Sequence, residues 1–247
     1  MGKTLYIIAG CNGAGKTTAS YTILPEIWHC QEFVNADEIA RGLSPLNPNS
    51  MAVQAGRIML QRIEELMKQG VSFSIETTLA TRSYVQLVKR AQAEGYTVNL
   101  LFFWLKNPDM AVQRVAKRVS NGGHDIPVDV IHRRYKLGLQ NFFLLYKDVV
   151  DVWTLVDNAS NPRRIIATDE EIIDVELYNK MKLMSTTEKQ QYQADLLRGL
   201  ELAEYRMLRD KAMHNETIIQ GDDEKGWREV SAREVFVKLY NEPVPTF

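Results

Sequence analysis

Apolar and polar residues follow two different periods along most of this chain. Short apolar runs predict strands near Thr4–Ala9, Glu32–Ala36, Ser72–Ile75, Thr97–Trp104 and Val152–Val156, with a sixth at Arg164–Ala167. Longer segments with apolar residues every three or four positions predict helices near Lys16–Ile23, Asn49–Lys68, Arg82–Ala93, Pro108–Val119, Val128–Leu145 and Asp169–Lys182. Strands that alternate with helices are typical of a parallel sheet covered by helices, so we expect an α/β fold.

The pattern changes around Leu183–Thr187, and we expect a domain over residues 1–183 followed by a smaller module over residues 184–247. The module is predicted to contain a charged helix, a hairpin and a short helix, at residues 188–214, at Glu216–Gln220 with Trp227–Val230, and at Ala232–Tyr240. Such a module buries little surface by itself, so we expect it to pack against the first domain or another subunit.

The predicted helix of the module carries apolar residues among many charges, at Leu196, Leu197, Leu200, Leu202, Tyr205 and Leu208. The sequence shows no second layer to cover them, which favours a regulatory module that needs a partner surface. A structural extension or a homodimer contact is the alternative. The residues from Met184 onwards also resemble the start of a protein, which would suit a fused second reading frame, natural or engineered, although an internal methionine is more often just a methionine.

Composition leaves the partners open. Of the 247 residues, 45% are hydrophobic and 25% are charged, and the net charge is −1, as in ordinary globular proteins. We therefore expect no membrane or nucleic-acid partner. Two cysteines, Cys11 and Cys30, are too few for a disulfide framework. No secretory signal and no run of about 20 apolar residues is evident, and we expect a cytoplasmic protein.

Residues Gly10–Thr17 match the eight-residue phosphate-binding loop, directly between a predicted strand and a predicted helix. Lys16 is expected to reach the β- and γ-phosphates, and the Thr17 hydroxyl to bind the metal. We therefore expect ATP and Mg²⁺ as cofactors. The nucleotide-binding residues predicted from this loop are Gly10, Asn12, Gly13, Ala14, Gly15, Lys16, Thr17 and Thr18. The chain has no transporter-type signature, no apolar strand that ends in Asp-Glu and no guanine-reading motif.

Acidic residues that follow two predicted strands could support phosphoryl transfer. Asp37 is the candidate general base, because open parallel sheets bind ligands at the carboxyl ends of their strands. It could equally cap the helix that begins at Glu38. Glu76 and Thr78 could bind acceptor hydroxyls or the second-shell waters of the magnesium, or they could cap the next helix.

A glycine-rich break between two predicted helices, residues 121–127, is flanked by basic residues. A lid that closes over a triphosphate needs such a hinge and such charges. Arg118 stands next to the break and is the candidate lid arginine. Arg114 and Lys117 are interpreted as solvated surface residues.

Together these motifs resemble the zeta-toxin group of P-loop kinases, within it the branch of predicted ATPases. The resemblance covers about Leu5–Ile166, with the segments Gly10–Thr18, Phe33–Glu38, Glu76–Thr78, Gly95–Tyr96, Arg118, 122–127, Arg133–Tyr135 and Asp157–Asn158. It implies a P-loop NTPase three-layer sandwich like that of nucleoside monophosphate kinases. It also implies a toxin that phosphorylates the sugar 3′-hydroxyl of UDP-N-acetylglucosamine and is blocked by an antitoxin at the ATP site.

The resemblance also implies roles for individual residues. On the family pattern Asp37 is the catalytic base, Lys16 and Arg118 serve the transferred phosphate, and Glu76 and Thr78 position the substrate. Asn158 joins the nucleotide-binding residues. Because zeta-type kinases are usually restrained by a helical partner, residues 184–247 could act as an antitoxin in cis, with a separate chain in trans as the alternative.

Two positions depart from the family pattern. Where best-known members have an arginine in the substrate motif, this chain has Ala80, and Arg82 two residues further on is the substitute candidate for substrate binding. His124 aligns with the second lid arginine, although a histidine is only partly charged near neutral pH. Phosphate neutralisation would then fall to His124 or to Arg133 and Arg134.

Other functions remain open. The acceptor could be another hydroxyl, on a nucleoside, a polynucleotide end or an antibiotic, although the near-neutral net charge argues modestly against long nucleic acids. A protein of a different class, an ATP-dependent switch without phosphotransfer, would use the same loop to control a partner.

Overall fold

The computed structural model describes residues 2–120, 122–123, 125–160, 162–222 and 226–244, without the side chains of residues 186–196, 220, 222 and 226–227. The strands of the described part are β1 Thr4–Gly10, β2 Phe33–Val34, β3 Phe73–Thr77, β4 Thr97–Trp104, β5 Val152–Asp157, β6 Arg164–Thr168, β7 Thr217–Asp222 and β8 Gly226–Ser231. Its α-helices are α1 Lys16–Thr22, α2 Ala36–Leu43, α3 Ala52–Gln69, α4 Tyr84–Ala93, α5 Pro108–Ser120, α6 Val128–Leu144, α7 Val175–Met213 and α8 Ala232–Tyr240.

A six-stranded sheet runs in the order β2-β3-β1-β4-β5-β6. The first five strands are parallel, and β6 is antiparallel to β5. Helical crossovers connect the parallel strands, as such connections require. The expected α/β fold with a mostly parallel sheet is confirmed.

Alternate residues of β1 belong to two separate core layers. Leu5 and Ile7 are buried in a cluster with residues of α3, α4 and α6, whereas Ile8 is buried with residues of α1 and α5. Because successive side chains of a strand point to opposite faces, the two clusters lie on opposite sides of the sheet. The sheet is therefore the middle of three layers.

The carboxyl ends of the parallel strands lie at one edge of the sheet. Ile8 of β1 pairs with Glu76 of β3, and Gly10 pairs with Phe103 of β4. The phosphate-binding loop, the end of β3 and the segment after β5 consequently emerge at the same edge, where this class of fold binds its ligands.

The second strand is shorter than predicted. Residues Glu32–Ala36 were expected to be extended, but only Phe33 and Val34 pair in the sheet, and a helix starts at Ala36. The reason is Asn35, whose side chain accepts hydrogen bonds from the backbone N–H groups of Asp37 and Glu38 and so caps the helix.

Helix α7 begins later than predicted and is continuous. It starts at Val175 rather than near Asp169, and the Asp174 side chain accepts a hydrogen bond from the Leu177 N–H at its first turn. The predicted end near Lys182 is wrong, because one helix continues to Met213. Despite this length, neither α7 nor another described helix combines the span and apolarity needed to cross a bilayer.

The chain divides into an N-terminal unit, Met1–Thr186, and a C-terminal unit, Thr187–Phe247. The C-terminal unit contains the predicted hairpin and short helix, with β7 antiparallel to β8. It has its own small core, formed by Leu208, Ala212, Ala232, Phe236 and Val244.

This core corrects part of the sequence interpretation. Leu208 is fully buried and Tyr205 packs against Phe236, so a second layer does cover these two positions. Leu197, Leu200 and Leu202 are exposed, as expected for residues without a covering layer. Leu196 lies among the residues whose side chains are outside the described part.

We expect Leu139→Ala to lower the free energy of unfolding by about 2–5 kcal/mol, because removing a buried leucine leaves a cavity. Leu139 is 3% exposed in the core of the N-terminal unit, whereas Leu144 on the same helix is 45% exposed. The matched variant Leu144→Ala should cost less than about 1 kcal/mol. Urea unfolding followed by tryptophan fluorescence measures both, and equal losses would contradict the core assignment of Leu139.

Candidate functional site

The phosphate-binding loop turns away from β1 through backbone that only glycine adopts easily. Gly10 has φ 139° and Gly15 has φ 81°. A Cβ atom at Gly10 would lie 2.4 Å from the carbonyl oxygen of Phe103, and one at Gly15 would lie 2.6 Å from the amide nitrogen of Asn158. The loop is therefore packed directly against β4 and against the residue that follows β5.

Lys16 begins α1 and is almost closed to solvent, with 6% of the residue exposed. Its Nζ donates a hydrogen bond to the carbonyl oxygen of Cys11 at 3.1 Å and lies 3.5 Å from Glu76 Oε1. The ammonium group is thus held close to the loop backbone, where the lysine of P-loop proteins binds the β- and γ-phosphates.

Glu76 contacts the loop from the neighbouring strand. Thr17 Oγ1 donates a hydrogen bond to Glu76 Oε2 at 2.8 Å, and the Glu76 side chain is 8% exposed. The structure therefore places Glu76 beside the predicted metal ligand Thr17. Of the two roles left open by the sequence, this position favours the magnesium side of the site.

The carboxylate of Asp37 is exposed and forms no hydrogen bond or ion pair with any described residue. The alternative that Asp37 caps α2 is wrong, because Asn35 Oδ1 caps it by accepting from the Asp37 N–H at 2.8 Å. Asp37 lies in the first turn of α2 and lines the same cavity as Lys16, Thr17 and Glu76. Its side chain is thus available to a ligand in that cavity.

Asn158 supports the loop from behind. Its Nδ2 donates to the Ala14 carbonyl oxygen at 2.6 Å, and its own carbonyl oxygen accepts from Arg114 Nη2 at 2.8 Å. The interpretation of Arg114 as a solvated surface residue is wrong, since it bonds to Asn158 and lines the cavity. Its role was hidden in the sequence because its partner lies 44 residues away.

The basic residues of the predicted lid do not all lie in the cavity. Arg118 lines the cavity, whereas Arg134 Nη1 donates to the Asn12 side-chain oxygen at 3.1 Å and so braces the loop. Arg133 is exposed and is not part of the cavity lining. His124 lies outside the described residues.

These side chains enclose a cavity of about 260 Å³. Its lining includes Asn12, Gly13, Gly15, Lys16, Thr17, Thr18, Asp37, Glu38, Arg41, Glu76, Arg114 and Arg118. Thr78 and Arg82, predicted to bind substrate, are not among the lining residues; Thr78 is half-buried and Arg82 is exposed.

Sequence reasoning missed Glu38 and Arg41, which form an ion pair at 3.2 Å on α2. Arg41 lies four residues after Asp37, so both can share one face of a helix. That spacing was the available signal, and it went unused because the helix considered there began at Glu38, which left Asp37 outside it.

The two cysteines are free and buried. Burial raises the pKa of the Cys11 thiol to about 11, although Lys16 and Arg114 act in the opposite direction, and burial also raises the pKa of Cys30. Both thiols are therefore neutral near pH 7, so Cys11 brings no negative charge to the phosphate-binding loop.

Comparison with known proteins places these features in a family. The sequence model of the zeta toxin family matches residues 2–170, and a domain of unknown function (DUF8506) matches residues 184–241. An uncharacterized protein of Haemophilus influenzae is 31% identical over 126 residues, which are 51% of this chain and 88% of that protein.

Solved structures agree on the fold. The AvrRxo1-ORF1:AvrRxo1-ORF2 structure with sulphate ions matches with a TM-score of 0.59 and 16% identity, over 73% of this chain and 64% of that chain. The chain thus spans less than two thirds of that neighbour's length. A structure from the PezAT chromosomal toxin-antitoxin system of Streptococcus pneumoniae matches with a TM-score of 0.55 and 16% identity, over 82% and 88% of the two chains.

At this identity the structural matches support the fold alone, whereas the family model covers well over half of the chain, including the phosphate-binding loop, Asp37, Glu76 and the basic helix α5. The resemblance inferred from those motifs is confirmed: the chain belongs to the zeta toxin family.

Proposed function

We propose that this protein is an ATP- and Mg²⁺-dependent kinase of zeta-toxin type, which transfers the γ-phosphate to the sugar hydroxyl of UDP-N-acetylglucosamine or a related UDP-sugar. The observation that carries the proposal is the shared cavity of Lys16, Thr17, Asp37 and Glu76. One AvrRxo1-ORF1:-ORF2 structure, which shares the fold at a TM-score of 0.57, is a complex with ATP. The family membership supports the same class of reaction.

The residues around Thr17 fit a magnesium ion. A hydroxyl and a carboxylate oxygen 2.8 Å apart are the hard oxygen donors that Mg²⁺ prefers, usually together with water and substrate phosphates. In the proposed reaction Thr17 would hold the ion and Glu76 would orient its water. The ion would neutralise charge on the β- and γ-phosphates.

The other side chains supply positioning, charge and a proton acceptor. Phosphoryl transfer needs little covalent chemistry from the protein, so the arrangement of charge dominates catalysis. Lys16 would hold the γ-phosphate, and Arg114 and Arg118 would neutralise its oxygens from α5. Asp37, on α2, would accept the proton of the acceptor hydroxyl.

We also propose the regulatory role that the sequence predicts for the C-terminal unit. The separate family match over residues 184–241 and the exposed Leu197, Leu200 and Leu202 support a module that contacts a partner. An antitoxin-like restraint in cis, a trans-acting antitoxin and a homodimer contact are the forms that this role could take.

Incubation of the protein with ATP, Mg²⁺ and a panel of UDP-sugars should add one phosphate to one sugar nucleotide, as followed by mass spectrometry. Lys16→Met should reduce this activity at least about 10²-fold, because the charge that follows the transferring phosphate is lost. Lys117→Met, which removes an exposed lysine of α5, is the matched control. Full turnover by Lys16→Met would refute the assignment of the site, and phosphorylation of none of the sugars would refute the proposed acceptor.

Asp37→Asn should reduce turnover by about 10²–10⁴-fold, the usual contribution of a positioned base. ATP affinity and melting temperature should stay close to those of the parent protein, because the Asp37 side chain forms no hydrogen bond or ion pair with any described residue. Asn35→Ala, by contrast, should destabilise the fold by about 1 kcal/mol, since it removes the helix cap. If Asp37→Asn melted like Asn35→Ala and turned over normally, Asp37 would be structural.

Glu76→Gln should weaken Mg²⁺ binding, so the Mg²⁺ concentration that gives half-saturation of ATP binding should rise by about 10–100-fold. The glutamine keeps the size of the side chain but loses the charge that faces Thr17 and Lys16. Calorimetric titration of ATP at several Mg²⁺ concentrations measures this without turnover, with Glu64→Gln on α3 as a surface control. An unchanged Mg²⁺ dependence would return Glu76 to the acceptor side.

A further inference from the structure

The loop that joins β3 to α4, residues 78–83, contains a backbone conformation that leucine rarely adopts. Leu79 has φ 58°, in the left-handed region, while its side chain is fully buried in the core. A non-glycine residue keeps such a conformation only where several contacts with its surroundings enforce it. Residues of this kind cluster at functional sites. Side chains from outside this β3–α4 loop hold it in place.

Most of the restraints come from α6 and the turn that follows it. Asn141 is buried, and its Nδ2 donates to the Leu79 carbonyl oxygen at 2.8 Å. Tyr146 donates its hydroxyl to the Thr81 carbonyl oxygen at 2.7 Å. A Cβ atom at Gly138 would lie 2.5 Å from the Thr78 carbonyl oxygen, so helix and loop are in direct backbone contact. Within the loop's own strand, Thr77 Oγ1 accepts from the Leu79 N–H.

The same helix also contacts the phosphate-binding loop. Arg134 donates to the Asn12 side chain, and Tyr135 donates its hydroxyl to the Leu105 carbonyl oxygen after β4 at 2.8 Å. Arg134 and Asn141 are seven residues apart, or about 10 Å along one uninterrupted helix. A single continuous helix thus touches the phosphate-binding loop at Arg134 and the β3–α4 loop two turns later, at Asn141.

We infer that α6 sets the distance between the phosphate-binding loop and the β3–α4 loop, and that Asn141 is a positioning residue for acceptor binding. This inference rests on the proposed function and on the substrate-positioning role that the family resemblance implies for Thr78. Without the Asn141 amide, the buried Leu79 carbonyl has no donor among the residues that the structure describes, and the left-handed turn loses one of its restraints. Thr78, which precedes Leu79 directly, then loses its fixed place, while the nucleotide loop keeps its own contacts.

The test compares Asn141→Leu, which keeps the volume and removes the donor, with Gln69→Leu, which removes an exposed amide at the end of α3. Hydrogen–deuterium exchange of residues 77–83 should become about tenfold faster in Asn141→Leu and stay unchanged in the control. The KM for UDP-N-acetylglucosamine should rise by a similar factor, while the Kd for ATP stays within about twofold.

Unchanged exchange in residues 77–83, or a loss of ATP affinity equal to the rise in KM, would overturn the inference in favour of a general structural role. If the parent protein does not phosphorylate UDP-N-acetylglucosamine, the proposed acceptor fails, and the exchange and ATP measurements still test whether Asn141 holds the β3–α4 loop. Should Asn141→Leu fail to fold, Tyr146→Phe removes only the hydroxyl that bonds Thr81 and carries the same three measurements. Burial raises the pKa of Tyr146 to about 12, so its hydroxyl is a donor throughout the assay range.

Discussion

The arrangement of the site depends on a positive charge that is almost closed to water. Burying an ammonium group costs free energy unless it is paired and hydrogen-bonded. Lys16 meets this requirement through the Cys11 carbonyl and the Glu76 carboxylate, one from its own loop and one from the neighbouring strand. The second partner depends on the parallel register of β1 and β3, in which Ile8 lies beside Glu76. The register of the sheet thereby determines the electrostatics of the phosphate site.

Three elements then build outward from this charge. Helix α5 supplies Arg114 and Arg118 to the cavity, and the Arg114 contact with Asn158 links that helix to the segment after β5. Helix α2 presents Asp37 because Asn35 takes over the capping of its first turn. Helix α6 braces both the phosphate-binding loop and the β3–α4 loop. Chemistry in such a site relies on the fixed separation of these groups rather than on unusual reactivity of any one of them.

Much of this could be predicted from the sequence, because local patterns carry local information. The periods of apolar residues located the parallel strands, β4 to its exact ends, and the phosphate loop is recognised by its spacing alone. Contacts between distant segments have no corresponding local pattern in the sequence. In the sequence, Arg114 looks like any surface arginine of a helix, because its contact with Asn158 is known only from the structure. Asn141 likewise looks like any buried helix residue, because its contact with the Leu79 carbonyl is known only from the structure. The continuity of α7 was missed for a related reason, since a change in charge along a helix does not end it.

The burial of both cysteines has a practical consequence for studies of motion. Maleimide reagents react with exposed thiolates, and Cys11 and Cys30 are buried thiols with raised pKa values. A cysteine introduced on the surface of α5 or α2 would therefore be modified selectively on the native background. Pairs of fluorescent or spin labels could then report the separation of the two helices across the cavity as nucleotide is added.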